Sequence, residues 1–396
     1  MKLFRQSSRG PHLFLRWGLP VVVIFLFLLF VFSINQVEKT ELVSRKGQTF
    51  EKGVVTEIVQ DNLQSDGSRL GEQVVMVKML TGVRQGETIQ TTSSAGYLFG
   101  APCTVGMKVV VMQSVAGEST ISSVYAQSRE WVIYAFAALY LLILCLVGGR
   151  QGVKASAGLI FTFLCILFVY LPLVYRGWSP FWVSVLLCVF TTVVTLYLIG
   201  GPTRKTAVAT LGTVAGVIIA GVAATAFSAA SGISGWNVSD IESLLTLSYT
   251  NNVRVGGLLF SGLLISSLGA VMDVAMSIAS AIGEVHAQNP ALSAKELFRA
   301  GMRVGRDMMG TDSNTLILAF AGSNISMLVL DYAYNLPYQQ IINSNNIGIA
   351  IMQGLSGSFG IVLSVPVTVL LAVVFYRRPT TPATETQPMP PSGLEG

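Results

Sequence analysis

Apolar residues in this chain gather into stretches of about twenty, each closed by basic or small polar residues, the length a helix needs to cross a hydrocarbon layer about 30 Å thick. The pattern predicts about eight spans, at 17–34, 131–149, 155–175, 181–201, 207–230, 255–282, 313–332 and 348–376. Together they read as an α-helical integral membrane bundle. Only between the first and second spans does the pattern change. There Val54–Val59, Val74–Met79, Thr88–Thr91 and Val109–Met112 are rich in β-branched residues and are punctuated by Gly82, Gly86 and Gly106. Four or five short strands over about ninety residues predict a small all-β domain, a barrel or sandwich, with an OB-like barrel the expected form.

Charge then orients the elements. Lys2, Arg5, Arg9 and Arg16 precede the first span, which holds residues 1–16 in the cytoplasm by the positive-inside rule. No small-x-small cleavage site follows Ser33-Ile34-Asn35, so residues 17–34 read as an uncleaved anchor. The expected order is the anchor, an extracytoplasmic β-rich domain over 35–130, a seven-helix membrane domain over 131–376 and a proline-rich disordered cytoplasmic tail over 377–396. With eight crossings, fourteen Lys and Arg residues lie inside and only Arg176 and Arg254 in the short outside loops. Both termini are then cytoplasmic, and a cell membrane is the expected location.

Composition agrees and removes alternatives. Charged residues make up 11% of the chain, against about a quarter in soluble domains. The excess of +5 is spread over loops between apolar stretches, so no nucleic-acid partner is expected. Four cysteines and two distant histidines, His12 and His286, offer no disulfide framework and no metal site, and nothing suggests a cofactor. Two short stretches align at an offset of 52 residues, Leu146-Val147-Gly148-Gly149 with Leu198-Ile199-Gly200-Gly201, as a duplicated hairpin would.

The sixth span carries the candidate chemistry. At 100° per residue, Gly262, Ser266, Gly269, Asp273, Ser277, Ser280 and Glu284 all fall within about 40° of Asp273, a small and polar stripe on an otherwise apolar helix. Small residues let a neighbouring backbone approach, but an acid inside hydrocarbon costs about 2.5–3.5 kcal/mol and normally faces the bundle interior or a hydrated cavity. Either Asp273 belongs to an ion or solute path, or it is a structural acid. Beyond this span, Ser293 and Glu296 have capping-box spacing, with Leu292 and Leu297 set for a hydrophobic staple. A short basic amphipathic helix with Lys295, Arg299, Arg303 and Arg306 on one side is expected at the inner leaflet. The next stretch, Gly305 to Thr315, holds Asp307, Thr311 and Asn314 on one helical face and Asp312 on another. Gly310 is positioned to break the helix there, and Arg306 to neutralise Asp273, Asp307 or Asp312.

The two motifs Leu268-Gly269-Ala270-Val271-Met272-Asp273-Val274-Ala275-Met276-Ser277 and Gly305-Arg306-Asp307-Met308-Met309-Gly310-Thr311-x-x-Asn314-Thr315-Leu316 resemble the signature of the YibE/F-like family of bacterial membrane proteins. The resemblance extends to the leading anchor and the β-rich segment. It implies the topology and a focus on Asp273, Asp307 and Asn314, and supplies no substrate. Three function classes follow. First comes a transporter or channel-like component with an ion or small solute bound between the sixth and seventh spans. Second is a scaffold or receptor whose outer domain binds a protein partner, and third a membrane enzyme. No catalytic motif is present: Gly310-Thr311-Asp312 lacks the glycine-x-glycine-aspartate pattern of intramembrane aspartyl proteases.

Overall fold

A computed structural model describes residues 25–37, 47–94, 100–116, 119–238 and 241–376. Residues 1–24 and the tail from 377 lie outside the described residues, and with them the basic N-terminus, the first eight residues of the anchor and the expected disorder. The chain divides into two compact units at Ser156/Ala157: Lys39–Ser156, and Met1–Glu38 with Ala157–Gly396.

The first unit holds a closed five-stranded barrel. Its strands are β1 (Gln48–Gln60), β2 (Glu72–Met79), β3 (Thr88–Ser94), β4 (Lys108–Ala116) and β5 (Ser119–Gln127), in the order β1-β2-β3-β5-β4. All pairings are antiparallel except β3 with β5. Closure depends on β1, thirteen residues long, which pairs with β2 through its second half and with β4 through its first. The two ladders meet at Gly53, opposite both Met79 and Val109, where a side chain would run into Val77. A glycine at such a corner lets the strand bend sharply. Val55, Val75, Val77, Met79, Val109, Val111 and Val124 fill the interior. The turn glycines Gly82, Gly86 and Gly106 all take φ between 86° and 90°, a region side chains disfavour.

The barrel leads into α2 (Glu130–Cys165), which is not one straight helix. At Gly149 the backbone turns to φ 52°, ψ −132°. Eleven residues of straight helix rise about 16 Å, yet Cys145 Sγ lies 3.5 Å from Ser156 Oγ. The stretch therefore doubles back as a helical hairpin, with Gly152 packed closely against the Leu144 carbonyl. The two arms match the separate helices expected over 131–149 and 155–175.

In the second unit a short helix, α1 (Phe25–Asn35), precedes the bundle. The second hairpin arm continues through a π-helical turn, Ile166–Tyr170, into α3 (Leu171–Tyr175). Then follow α4 (Pro180–Gly200), α5 (Arg204–Ser231), α6 (Ile241–Asn251), α7 (Leu258–Gln288), α8 (Ala294–Ser323), α9 (Ile325–Ala333), α10 (Tyr338–Ile342) and α11 (Asn345–Tyr376). Among the described residues, five stretches suffice by length and composition to cross a membrane, or six if the bent pair α8–α9 forms one span. The core is where α5, α7 and α11 meet, packed around Val208, Val271, Val274, Ile278, Ile361, Val365 and Val369. Small residues make that meeting close: a Cβ on Gly360 of α11 would lie 2.8 Å from the Gly216 carbonyl oxygen of α5.

The structure corrects two expectations about α8. First, the basic stretch is no separate surface helix. It is the beginning of one 30-residue helix that runs on through the polar stretch, about 45 Å long. The cause is visible in Gly301 and Gly305, whose missing side chains make room for Ile282 of α7 and for Val369 and Val365 of α11. Second, Gly310 does not break the helix. Nothing crowds it, and the break falls at Asn324, where α8 and α9 meet at 58°.

Candidate ionisable seam between α7 and α8

The capping box starts α8 as expected: Ser293 Oγ accepts from the Glu296 N–H at 3.3 Å and Glu296 Oε2 from the Ser293 N–H at 2.9 Å. With both helices fixed against α11, the directions of their side chains are set. The bulky face of α7, Leu259, Leu263, Leu264, Val271, Val274, Ile278 and Ile282, is buried. Its small polar stripe therefore points away from the bundle. Gly262, Ser266, Gly269, Asp273 and Glu284 are exposed, with Ser277 and Ser280 half-buried, and a Cβ on Gly262 or Gly269 would meet nothing within 4 Å. Of the two expected surroundings, the bundle interior or a hydrated cavity, the isolated chain does not place this stripe in the interior. The large apolar residues of α7 lie opposite Asp273 and pack into the bundle.

Asp273 nonetheless has a neighbour. Asp312 of α8 lies within its electrostatic reach, two acids on adjacent helices at one seam. Asp312 is half-buried, and its Oδ2 and the adjacent Ser313 Oγ have no accessible surface and no hydrogen-bond partner. The Ser313 carbonyl accepts from Ser358 Oγ of α11 at 3.4 Å, which ties the acidic turn of α8 to the bundle. Ser280 Oγ donates to the Met276 carbonyl at 2.7 Å, leaving its lone pairs open.

The remaining candidates spread along α8. Asp307, Thr311 and Asn314 share an exposed face, with Thr311 Oγ1 donating to the Asp307 carbonyl at 3.5 Å, while Asp312 faces elsewhere. Arg306 neutralises none of the acids. The three ion pairs among the described residues are Lys52–Glu130, Asp61–Arg69 and Arg84–Glu87, all in the barrel unit. In a continuous helix Arg306 lies six positions from Asp312, about 240° around the axis, so the unbroken α8 keeps them apart. At the cytoplasmic end of the stripe, by the expected topology, His286 packs against Tyr376 with ring centroids 5.4 Å apart and the rings tilted at 46°, and among the described residues its Nδ1 is buried without a partner. Sequence reasoning missed Ser313 and Ser358. A polar residue directly after Asp312 was the available signal.

A helical bundle with several helices long and apolar enough to cross a membrane, joined to a five-stranded barrel, defines the class. The chain belongs to the YibE/F-like protein family, whose family model matches residues 136–378. The match begins within the first hairpin arm, so it covers neither α1 nor the barrel. No curated protein and no solved structure matches the chain.

Proposed function

We propose that this protein is a transporter or channel-like component of a bacterial cell membrane, crossing it eight times, with its ionisable site in the seam between α7 and α8. Eight crossings follow if α1, the two hairpin arms, α4, α5, α7, α8 with α9, and α11 each count once. That parity leaves both termini in the cytoplasm and the barrel outside. The strand order β1-β2-β3-β5-β4 supports reading the barrel as an OB-like module.

One observation carries the proposal: Asp273 and Asp312 lie within each other's electrostatic reach on an outward seam, and among the described residues neither is ion-paired. Bulky apolar residues would serve a merely structural helix better on that face, because each acid exposed to hydrocarbon costs about 2.5–3.5 kcal/mol. Water, an ion or a second protein surface must therefore meet the seam in the membrane. A monovalent cation or a proton suits two carboxylates flanked by serine hydroxyls. The scaffold or receptor reading draws on a different observation, the apolar side chains of Leu63, Leu70, Ile121 and Val83, exposed on the barrel where a protein partner can bind.

Flux measurements on the purified protein in liposomes, with a proton-sensitive and a sodium-sensitive dye, distinguish the two. The wild type should dissipate one of the imposed gradients. Asp273→Asn, which keeps size and some hydrogen bonding, should abolish the flux at unchanged expression and melting temperature. Full flux in that variant would remove Asp273 from the path. No flux from the wild type in either assay would favour the scaffold.

A further inference from the structure

Away from the seam, α1 and α4 enclose an apolar cleft of about 360 Å³. Phe30, Ile34, Leu173, Leu186 and Phe190 line it, and Arg176 and Trp178 stand at its mouth. The mouth is held in shape. Arg176 Nη2 donates to the carbonyls of Ser33 at 2.9 Å and Gln36 at 3.1 Å, and Asn35 Nδ2 donates to the Phe168 carbonyl at 2.7 Å. A guanidinium has five N–H donors, so among the described residues three of Arg176 remain uncommitted, and the side chain is exposed. The turn beside it, at Gly177 with φ 84°, abuts Asn252, two residues before the exposed Arg254. Among the described residues neither arginine has an acidic partner. These are also the only two basic residues in the short loops that the topology places outside.

We propose that this cleft binds a lipid with an anionic phosphate headgroup, one hydrocarbon chain lying against Phe30, Leu186 and Phe190 and the phosphate held by Arg176 and Arg254. The proposal rests on the membrane reading of the bundle. The chemistry fits on three counts. The walls are apolar, as an acyl chain requires and a soluble anion does not. A guanidinium presents parallel donors that match phosphate oxygens, while a zwitterionic headgroup offsets that charge with its own cation. Trp178 sits at the level of the charges, where an indole favours the interface between headgroups and chains. Arg176 closes the end of α1, so an occupant of the cleft also fastens α1 to α4.

The test uses the full chain in bilayers and the fluorescence of Trp178, taken as the difference between wild type and Trp178→Phe. Phosphatidylglycerol with dibrominated chains should quench it at about a thirtyfold lower mole fraction than dibrominated phosphatidylcholine, the scale expected for two arginines near a surface. Arg254→Gln leaves both bonds to α1 intact and should erase most of that preference. Leu186→Phe, which fills the cleft and spares both arginines, should weaken quenching by the anionic lipid. Equal quenching by the two lipids would overturn the proposal in favour of unspecific contact while leaving the membrane reading in place. Competition by millimolar inorganic phosphate would overturn it in favour of a simple anion site. If neither brominated lipid quenched, the membrane reading itself would fall.

Discussion

A methyl group at Gly360 would lie 2.8 Å from the Gly216 carbonyl oxygen and 2.9 Å from the Ala220 Cβ, and neither can rotate away. Gly360→Ala should therefore push α5 and α11 apart and destabilise the bundle by about 1–3 kcal/mol, the cost typical of overpacking. Gly262→Ala makes the control, because a Cβ there meets nothing within 4 Å. Thermal melting in detergent should show a clear drop for the first and almost none for the second. An equal drop would mean that Gly262 is covered. In the barrel, Cys103 is fully buried, its N–H bonded to Gln73 Oε1 at 2.8 Å, and burial pushes its thiol above the usual range. A maleimide should label it only on unfolding, and rapid labelling of the native protein would contradict the packing described. At this scale the sequence pointed to Asp273 through its chemistry and its stripe. It did not reveal which way the stripe faces, because that depends on which side of α7 packs against α5 and α11. The partnership with Asp312 was likewise hidden, since it depends on how α8 lies against α7.

Elements were legible where one local signal sufficed and obscure where a tertiary contact decided. The runs of β-branched residues marked β1 to β4, and the glycines between them marked the turns. The fifth strand, Ser119–Gln127, is rich in serine, and pairing with β4 and β3 makes it a strand. The helix α8 shows the opposite case, since Gly310 reads as a breaker until its neighbours are known. Glycine in an exposed helical position costs roughly 1 kcal/mol relative to alanine, and Gly310 has open space around it. Gly310→Ala should thus raise the melting temperature slightly and leave any flux intact. Lost flux at normal stability would show that the helix must bend there to work. The barrel, which closes on itself within its own unit, should fold when residues 47–128 are expressed alone. Its circular dichroism should be dominated by strand, and a helical or disordered spectrum would contradict the closed sheet.

For the whole molecule, one loop separates the competing topologies. If Glu130–Tyr175 crossed the membrane once, as its 46 residues of continuous hydropathy suggest, then α4, α5 and α7 would follow in turn and the connection after Gln288 would lie outside. On the proposed eight-span reading, the reversal at Gly149 makes that stretch cross twice, and every later loop changes side. The connection after Gln288 then lies inside, where Lys295, Arg299, Arg303 and Arg306 satisfy the positive-inside rule. The turn at Gly201, with φ 67° where Gly149 has 52°, falls inside as well, together with Arg204 and Lys205. Both glycines close a helix just before basic residues, in agreement with the 52-residue offset between their sequences. Alkaline phosphatase and a fluorescent protein fused at chosen points report the two sides of a bacterial membrane. Fusions after Lys46 and Gln339 should give phosphatase activity, and those after Gln288 and Arg378 fluorescence. Phosphatase activity at Gln288 would mean that the hairpin does not form in the membrane. It would also move Arg176 and Arg254 to the cytoplasmic side, and the lipid site with them.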